Sequence, residues 1–124
     1  MPAKNHAKEK LVGFRDYVLN DLLGEMPGVN SRAMFGGYGI YQRGIIFAII
    51  AEGRLYFKVG ERNLADYEKH GMYPFTYTRP NGKTYAMSYW LVPEEILEDH
   101  EEVLRWAMAA VAEASVKKIK KVKK

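Results

Sequence analysis

The stretch Arg32-Ala-Met-Phe-Gly-Gly-Tyr-Gly-Ile-Tyr41 sets three glycines among aromatic side chains inside a β-rich pattern. Glycine weakens a strand unless the backbone must bend, bulge or approach another segment closely. The stretch therefore predicts a tightly built sheet with a structural bend or bulge at Gly36-Gly-Tyr-Gly39. A phosphate cradle would need a strand leading into a helix N-terminus, and here strand pattern lies on both sides. A faint likeness to an RNA-recognition sheet motif fails on element order and aromatic spacing.

Around that stretch the periodicities alternate. From His6 to Leu23, the residues Leu11, Phe14, Val18 and Leu22 recur at helical spacing, and Gly24 and Pro27 end the segment. Short β-like runs follow at Arg32–Phe35, Gly39–Gln42, Ile45–Ala51 and Arg54–Val59, with Gly44 and Gly53 where hairpin turns are needed. Ile45–Ala51 is apolar throughout and suits a strand covered on both faces, whereas Arg54–Val59 alternates, with Leu55, Phe57 and Val59 toward the core and a wetter opposite face. Glu61–His70 reads as a short helix stopped by Gly71, and Pro74–Arg79 with Thr84–Val92 as a hairpin around Pro80-Asn-Gly82. Asp99 and Glu102 resemble a capping box opening a last helix with a core stripe of Val103, Trp106, Ala110 and Val111. The order is α, three or four strands, α, two strands, α: an α+β domain with an antiparallel sheet and packed helices, occupying residues 1–116.

Size and composition narrow the function. With 124 residues the chain can build one hydrophobic core without staples. The absence of cysteine removes disulfides, thiolate nucleophiles and cysteine-ligated zinc, and suits a cytoplasmic location. The polar N-terminus and the shortness of the run Ile45–Ala51 argue against a signal peptide or membrane span. The formal charge is +4, but the lysines at 117, 118, 120, 121, 123 and 124 contribute +6 of it, which leaves −2 for residues 1–116. A nucleic-acid-binding domain should show its positive potential on a folded face, so the near-neutral body argues against specific DNA recognition.

No constellation of side chains points to catalysis. His6, His70 and His100 fall in separate polar segments with no His-x-x-x-His spacing, so no metal site is expected. Glu94, Glu95, Asp99, Glu101 and Glu102 lie near helix starts, where they complement the macrodipole. Ser31, Ser88 and Ser115 stand in no nucleophile elbow and beside no histidine. The expectation is a protein that is not an enzyme and carries no cofactor.

Taken together, Met34-Phe-Gly-Gly-Tyr-Gly39, Leu55-Tyr-Phe-Lys58, Pro74-Phe-Thr-Tyr77, Met87-Ser-Tyr89, Pro93-Glu-Glu95 and Trp106-Ala107 fall in one order and spacing. In these motifs the chain resembles the N-terminal domain of the TfoX (Sxy) family of bacterial competence regulators, over roughly residues 10–114. The resemblance implies an α+β fold similar to secretion-chaperone-like domains, with one antiparallel sheet and helices packed on it. It makes Met34, Phe35, Gly36, Gly37, Tyr38 and Gly39 a family motif of mainly structural meaning. In that family the domain is joined to a C-terminal helical domain, and the protein acts with a transcription factor, the cyclic-AMP receptor protein. Fold alone does not carry that role across.

Two surfaces remain as candidates for contact. Trp90 falls on the opposite strand face from Tyr85 and Tyr89, together with Thr84, Ala86 and Ser88, so that face is expected to be partly covered and open to a partner through Trp90 and Ser88. The tail Lys117, Lys118, Lys120, Lys121, Lys123 and Lys124 is expected to be disordered, and could neutralise phosphates with weak, salt-sensitive affinity. The reading is a regulatory module that binds protein, with a homodimer among the expected states. The alternative is a transcription-associated protein that touches nucleic acid through its tail.

Overall fold

A computed structural model describes residues 3–123, with side-chain surroundings given for residues 10–116. Its elements are α1 (Ala3–Tyr17), a π-helical turn (Val18–Leu22), β1 (Val29–Met34), β2 (Gly37–Gln42), β3 (Ile45–Ala51), β4 (Arg54–Lys58), α2 (Leu64–Lys69), β5 (Pro74–Thr78), β6 (Thr84–Leu91), α3 (Glu94–Leu97) and α4 (His100–Lys123). The six strands form one sheet in the order β1-β2-β3-β4-β6-β5, and every pairing is antiparallel. The α+β class and the element order expected from periodicity hold, with four strands in the first β unit.

Helices cover one face. Val18, Leu22, Tyr67, Ile96, Val103, Trp106, Ala107 and Ala110 close over Phe47, Ala48, Ile50, Leu55 and Phe57 in a single buried cluster. The stripe read along the last helix is thus the core-facing side of α4. Tyr67 sits at the centre, with edge-on ring contacts to Trp106 at 4.7 Å and Trp90 at 6.4 Å between centroids. Such contacts add about 0.5–1.5 kcal/mol each beyond area burial.

The helix boundaries differ from the periodicity in three places. The first helix does not run regularly to Leu23. It widens into a π turn, with Leu23 N–H donating to Val18 C=O at 2.9 Å, which brings Val18, Leu22 and Leu23 all into buried positions. Gly24 follows it at a position only glycine fits, since a Cβ there would lie 2.3 Å from Asn20 O. The second helix begins at Leu64 rather than Glu61, since Asn63 Oδ1 accepts from Gly60 N–H at 2.8 Å and holds the preceding turn open. The last helix crosses the expected boundary at residue 116 and continues through Lys123: no glycine or proline interrupts this stretch, and lysine is a good helix former. At its start Glu102 N–H donates to Asp99 Oδ1 at 3.2 Å, half of the expected capping box.

Candidate functional site

The first four strands are joined by three tips of the same construction. In each, two residues connect a cross-strand pair: Phe35-Gly36 between Met34 and Gly37, Arg43-Gly44 between Gln42 and Ile45, and Glu52-Gly53 between Ala51 and Arg54. All six tip residues have positive φ, at 50°, 50° and 55° for Phe35, Arg43 and Glu52 and at 76°, 84° and 75° for the glycines that follow. This is the type I′ hairpin, whose twist matches that of the strands it joins. A non-glycine residue in the left-handed region costs roughly 1–2 kcal/mol, so each first position is under strain. Arginine and glutamate at an exposed tip are at least hydrated. Phe35 gains nothing from the water around it: its apolar side chain is 100% exposed, the highest value among the exposed large apolar residues.

The glycine motif is therefore a hairpin tip rather than a bend or bulge. Its third glycine lies under the ends of two side chains, since a Cβ on Gly39 would lie 2.9 Å from Met34 Cε and 3.0 Å from Ile46 Cδ1, both of which can give way. Gly37 is fixed more firmly, because a Cβ there would come within 1.9 Å of Ile50 O. A bulge lies just past the motif within the β2–β3 pairing, where the register shifts between Ile40 and Tyr41 and leaves Phe47 of β3 as the extra residue, buried toward the helices. Tyr38 packs against the helix-covered core, with the Arg15 guanidinium 4.9 Å from its ring centre. Of the motif, only Phe35 has no structural work to do.

The opposite face of the sheet carries no helix among the described residues. Its apolar cluster is built from strands alone: Ile49, Tyr56 and Tyr89 are buried, with Ile46, Ala51, Phe75, Met87 and Leu91 around them. This reverses the expected assignment of the β6 faces. Trp90 packs against Tyr67 on the helix-covered side and is half-buried, while Tyr85, Met87, Tyr89 and Leu91 line the helix-free side. Ser88 is exposed and its Oγ accepts from Lys58 Nζ. Trp90 is thus part of the core contact, and Trp90 and Ser88 form no common open patch. The expected wet face of β4 is also dry, since Tyr56 and Lys58 are both buried. Burial of Tyr56, Tyr67 and Tyr89 raises all three phenol pKa values above the ordinary 10.0.

Around the rim and across this face, cations lie on aromatic rings. The Arg32 guanidinium is 5.3 Å from the Tyr41 ring centre, and Arg79 is 4.7 Å from Tyr85 and 5.7 Å from Tyr77, whose rings stack at 5.8 Å. Arg54 Nη1 donates to Tyr73 Oη at 3.0 Å. None of the six strands contains an aspartate or a glutamate, although the chain has 15 acidic residues. All of them lie on helices, turns and loops.

A polar cleft of about 490 Å³ lies at the far end of β4, lined by Lys58, Gly60, Arg62, Ser88, Glu113 and Val116 among others. Its groups satisfy one another. Arg62 Nε donates to Glu113 Oε2 at 2.9 Å, and Asn63 Nδ2 donates to Lys58 O at 3.1 Å. Glu113 is buried and fills the space a Gly60 side chain would need, since a Cβ on Gly60 would fall 2.0 Å from Glu113 Oε1. The cluster ties β4 to α2 and α4. Sequence reading missed it because its charge pair spans 51 positions.

The other expected site residues stay apart. His70 faces Asp66 O at 2.8 Å and Glu95 at 3.5 Å, while His100 pairs with Glu25 at 2.9 Å. The side chain of His6 lies outside the described residues. Glu102 hydrogen-bonds to Arg105, which lowers its carboxyl pKa and raises that of the guanidinium. Among the described residues, no group of three or more histidine or acidic side chains could hold a metal ion, and no helix is long and apolar enough to cross a membrane. The backbone of α4 carries Lys117, Lys118, Lys120, Lys121 and Lys123, whose side chains, like Lys124, lie outside the described residues.

No curated protein matches the chain. The family profile described as the TfoX N-terminal domain matches residues 21–114, from the π turn through the buried part of α4, and so takes in all six strands, the Met34–Gly39 hairpin and the Trp106 stripe. On that match and the fold that accompanies it, the chain belongs to the TfoX N-terminal domain family.

Proposed function

We propose that the chain is a non-enzymatic regulatory module of the cytoplasm that works by binding another protein through the β1–β2 tip. The observation that supports this reading is Phe35, an aromatic side chain held fully exposed in a strained turn whose two sister tips carry charged residues. The sister tips carry the same strain, so what sets Phe35 apart is its apolar ring lying wholly in water, and aromatic residues are enriched at the buried core of protein interfaces. Tyr73, also exposed, stands at the same end of the sheet, where its hydroxyl meets Arg54 beside the Glu52-Gly53 tip. Given the family, a transcription factor is the first partner to test. A second copy of the chain is the competing occupant.

The test is site-specific photocrosslinking in cells, with the reactive residue at position 35 and, as control, at position 43 of the sister tip. The expected result is a discrete protein adduct at 35 that is absent at 43. Identical patterns at both positions refute the reading, and an adduct of twice the chain's mass identifies a homodimer instead.

A second reading keeps the lysines at 117, 118, 120, 121, 123 and 124 as a nonspecific nucleic-acid contact, supported by their density in eight residues. Affinity for duplex that vanishes as salt rises, and with Lys→Gln changes at those positions, is its signature.

A further inference from the structure

We infer that the helix-free face of the sheet is a binding site for single-stranded nucleic acid. This goes beyond the protein contact proposed at the β1–β2 tip and uses a different surface.

Three observations converge. First, the body's net charge of −2 conceals a segregation by element. The strands expose Arg32 and Arg54 and hold no acidic residue, Arg79 follows the end of β5, and Lys58 is buried and engaged with Ser88. Every carboxylate lies elsewhere, Glu52 in the β3–β4 turn being the nearest to the strands in sequence. The exposed charges carried by the face itself, Arg32, Arg54 and Arg79, are therefore all positive although the body is not, with Glu52 the one carboxylate of the adjoining turns that acts on this face, through Tyr56.

Second, the accessible aromatics of this face stand beside those cations at both margins. Arg32 lies over Tyr41 on the β1 side, and Arg79 lies over the stacked pair Tyr77 and Tyr85 on the β5 side. Single-stranded nucleic acids are bound by just this pairing: bases stack on aromatic rings or guanidinium planes, and neighbouring cations meet the phosphates. Third, the two margins are separated by five inter-strand spacings in the order β1-β2-β3-β4-β6-β5. At about 4.8 Å each this is roughly 24 Å, a span for several nucleotides, at the lower end of single-strand site sizes. Between the margins the half-buried surface is Ile46, Met87 and Leu91, with the exposed cation Arg54 at one end of β4. A duplex, whose bases are already stacked, gains nothing from such a platform.

The test uses the full chain with Lys→Gln at 117, 118, 120, 121, 123 and 124, so that the tail cannot supply the affinity. Fluorescence anisotropy at physiological salt compares a labelled oligouridylate, the matching oligothymidylate and a duplex of equal length. The expected result is binding of the single strands and not of the duplex. An RNA preference adds contacts to the 2′-hydroxyl, and equal affinity for the two strands leaves stacking and phosphate contacts; both support the site. Tyr77→Ala and Tyr41→Ala should each weaken binding by about fivefold or more, with Phe at either position restoring it and Glu98→Gln on the helix side changing nothing. Amide shift mapping should place the perturbations on β1, β2, β5 and β6. Absence of single-strand binding, equal affinity of the alanine variants, or shifts confined to the helices overturns the inference. So does sedimentation showing a dimer whose interface maps to this face, since a second copy would then be the occupant.

Discussion

Replacing Phe35 by Asn should make the protein more stable. Phe35 has φ of 50° and a fully exposed side chain, so the substitution removes no buried area and breaks no contact. What changes is the backbone term. An ordinary L-residue in the left-handed region loses roughly 1–2 kcal/mol, and asparagine, which is several-fold enriched there, recovers most of it. Asn-Gly is also the preferred pair for a type I′ tip. The net gain should be about 1 kcal/mol, which for a domain of this size raises Tm by roughly 4 °C. Phe35→Gly should gain less, because glycine adds freedom to the unfolded chain. Glu52→Asn, at a sister tip with φ of 55°, should gain about as much as Phe35→Asn. The assay is urea denaturation followed by circular dichroism, with thermal melts as a second measure. A loss of more than about 1 kcal/mol in Phe35→Asn, beside a gain in Glu52→Asn, would show that the ring has a structural contact and would sink the reasoning that the strain is kept for a partner.

Gly37→Ala should cost about 3 kcal/mol or more, because its Cβ would fall 1.9 Å from the backbone oxygen Ile50 O, where β2 leaves the tip beside β3; a variant as stable as the wild type in urea would contradict the β2–β3 register. Gly60→Ala should also destabilise, and Glu113→Ala should recover part of the loss in a double-mutant cycle, since the clash is with that carboxylate. Tyr67→Phe should be neutral or slightly stabilising, because the buried hydroxyl has no hydrogen-bond partner among the described residues; a loss of 2 kcal/mol or so would mean that an ordered water satisfies it. On the alkaline side, Tyr56, Tyr67 and Tyr89 have folded pKa values raised above 10.0. The stability this represents is whole below pH 10 and falls as pH rises above it. Part of the tyrosinate absorbance should therefore appear only with unfolding, and complete titration of all 9 tyrosines in the folded protein would refute the burial. On the acid side the depressed Glu102 carboxyl works in the opposite sense: the stability from its pairing with Arg105 is present above its ordinary pKa of 4.5 and is lost as pH falls below it, an effect Glu102→Gln should remove.

Much of the fold is written in local pattern, and the limits of that pattern are specific. The tips at Gly44 and Gly53 were legible because each separates two apolar or alternating runs. The tip at Phe35-Gly36 was not, because Gly37 follows at once and a glycine pair reads as a bend; which of two adjacent glycines turns and which merely lets Ile50 approach depends on the partner strand. Alternation correctly grouped Tyr85, Met87, Tyr89 and Leu91 on one face of β6, yet it cannot say which face receives the helices. That is decided by Tyr67 and Trp106, which dock on the Trp90 side. Arg62 and Glu113 carry no mutual signal in sequence. The charge segregation between strands and helices was present in the letters all along, but a sum over the chain erases it.

The most direct test of the proposed role is the affinity of the protein captured at position 35 for the wild-type chain and for Phe35→Asn, measured in solution with purified components. The proposed role requires that the more stable variant bind at least about tenfold more weakly, as expected when an aromatic anchor is removed from an interface. Equal affinity, or the capture of no protein at that position, would contradict it.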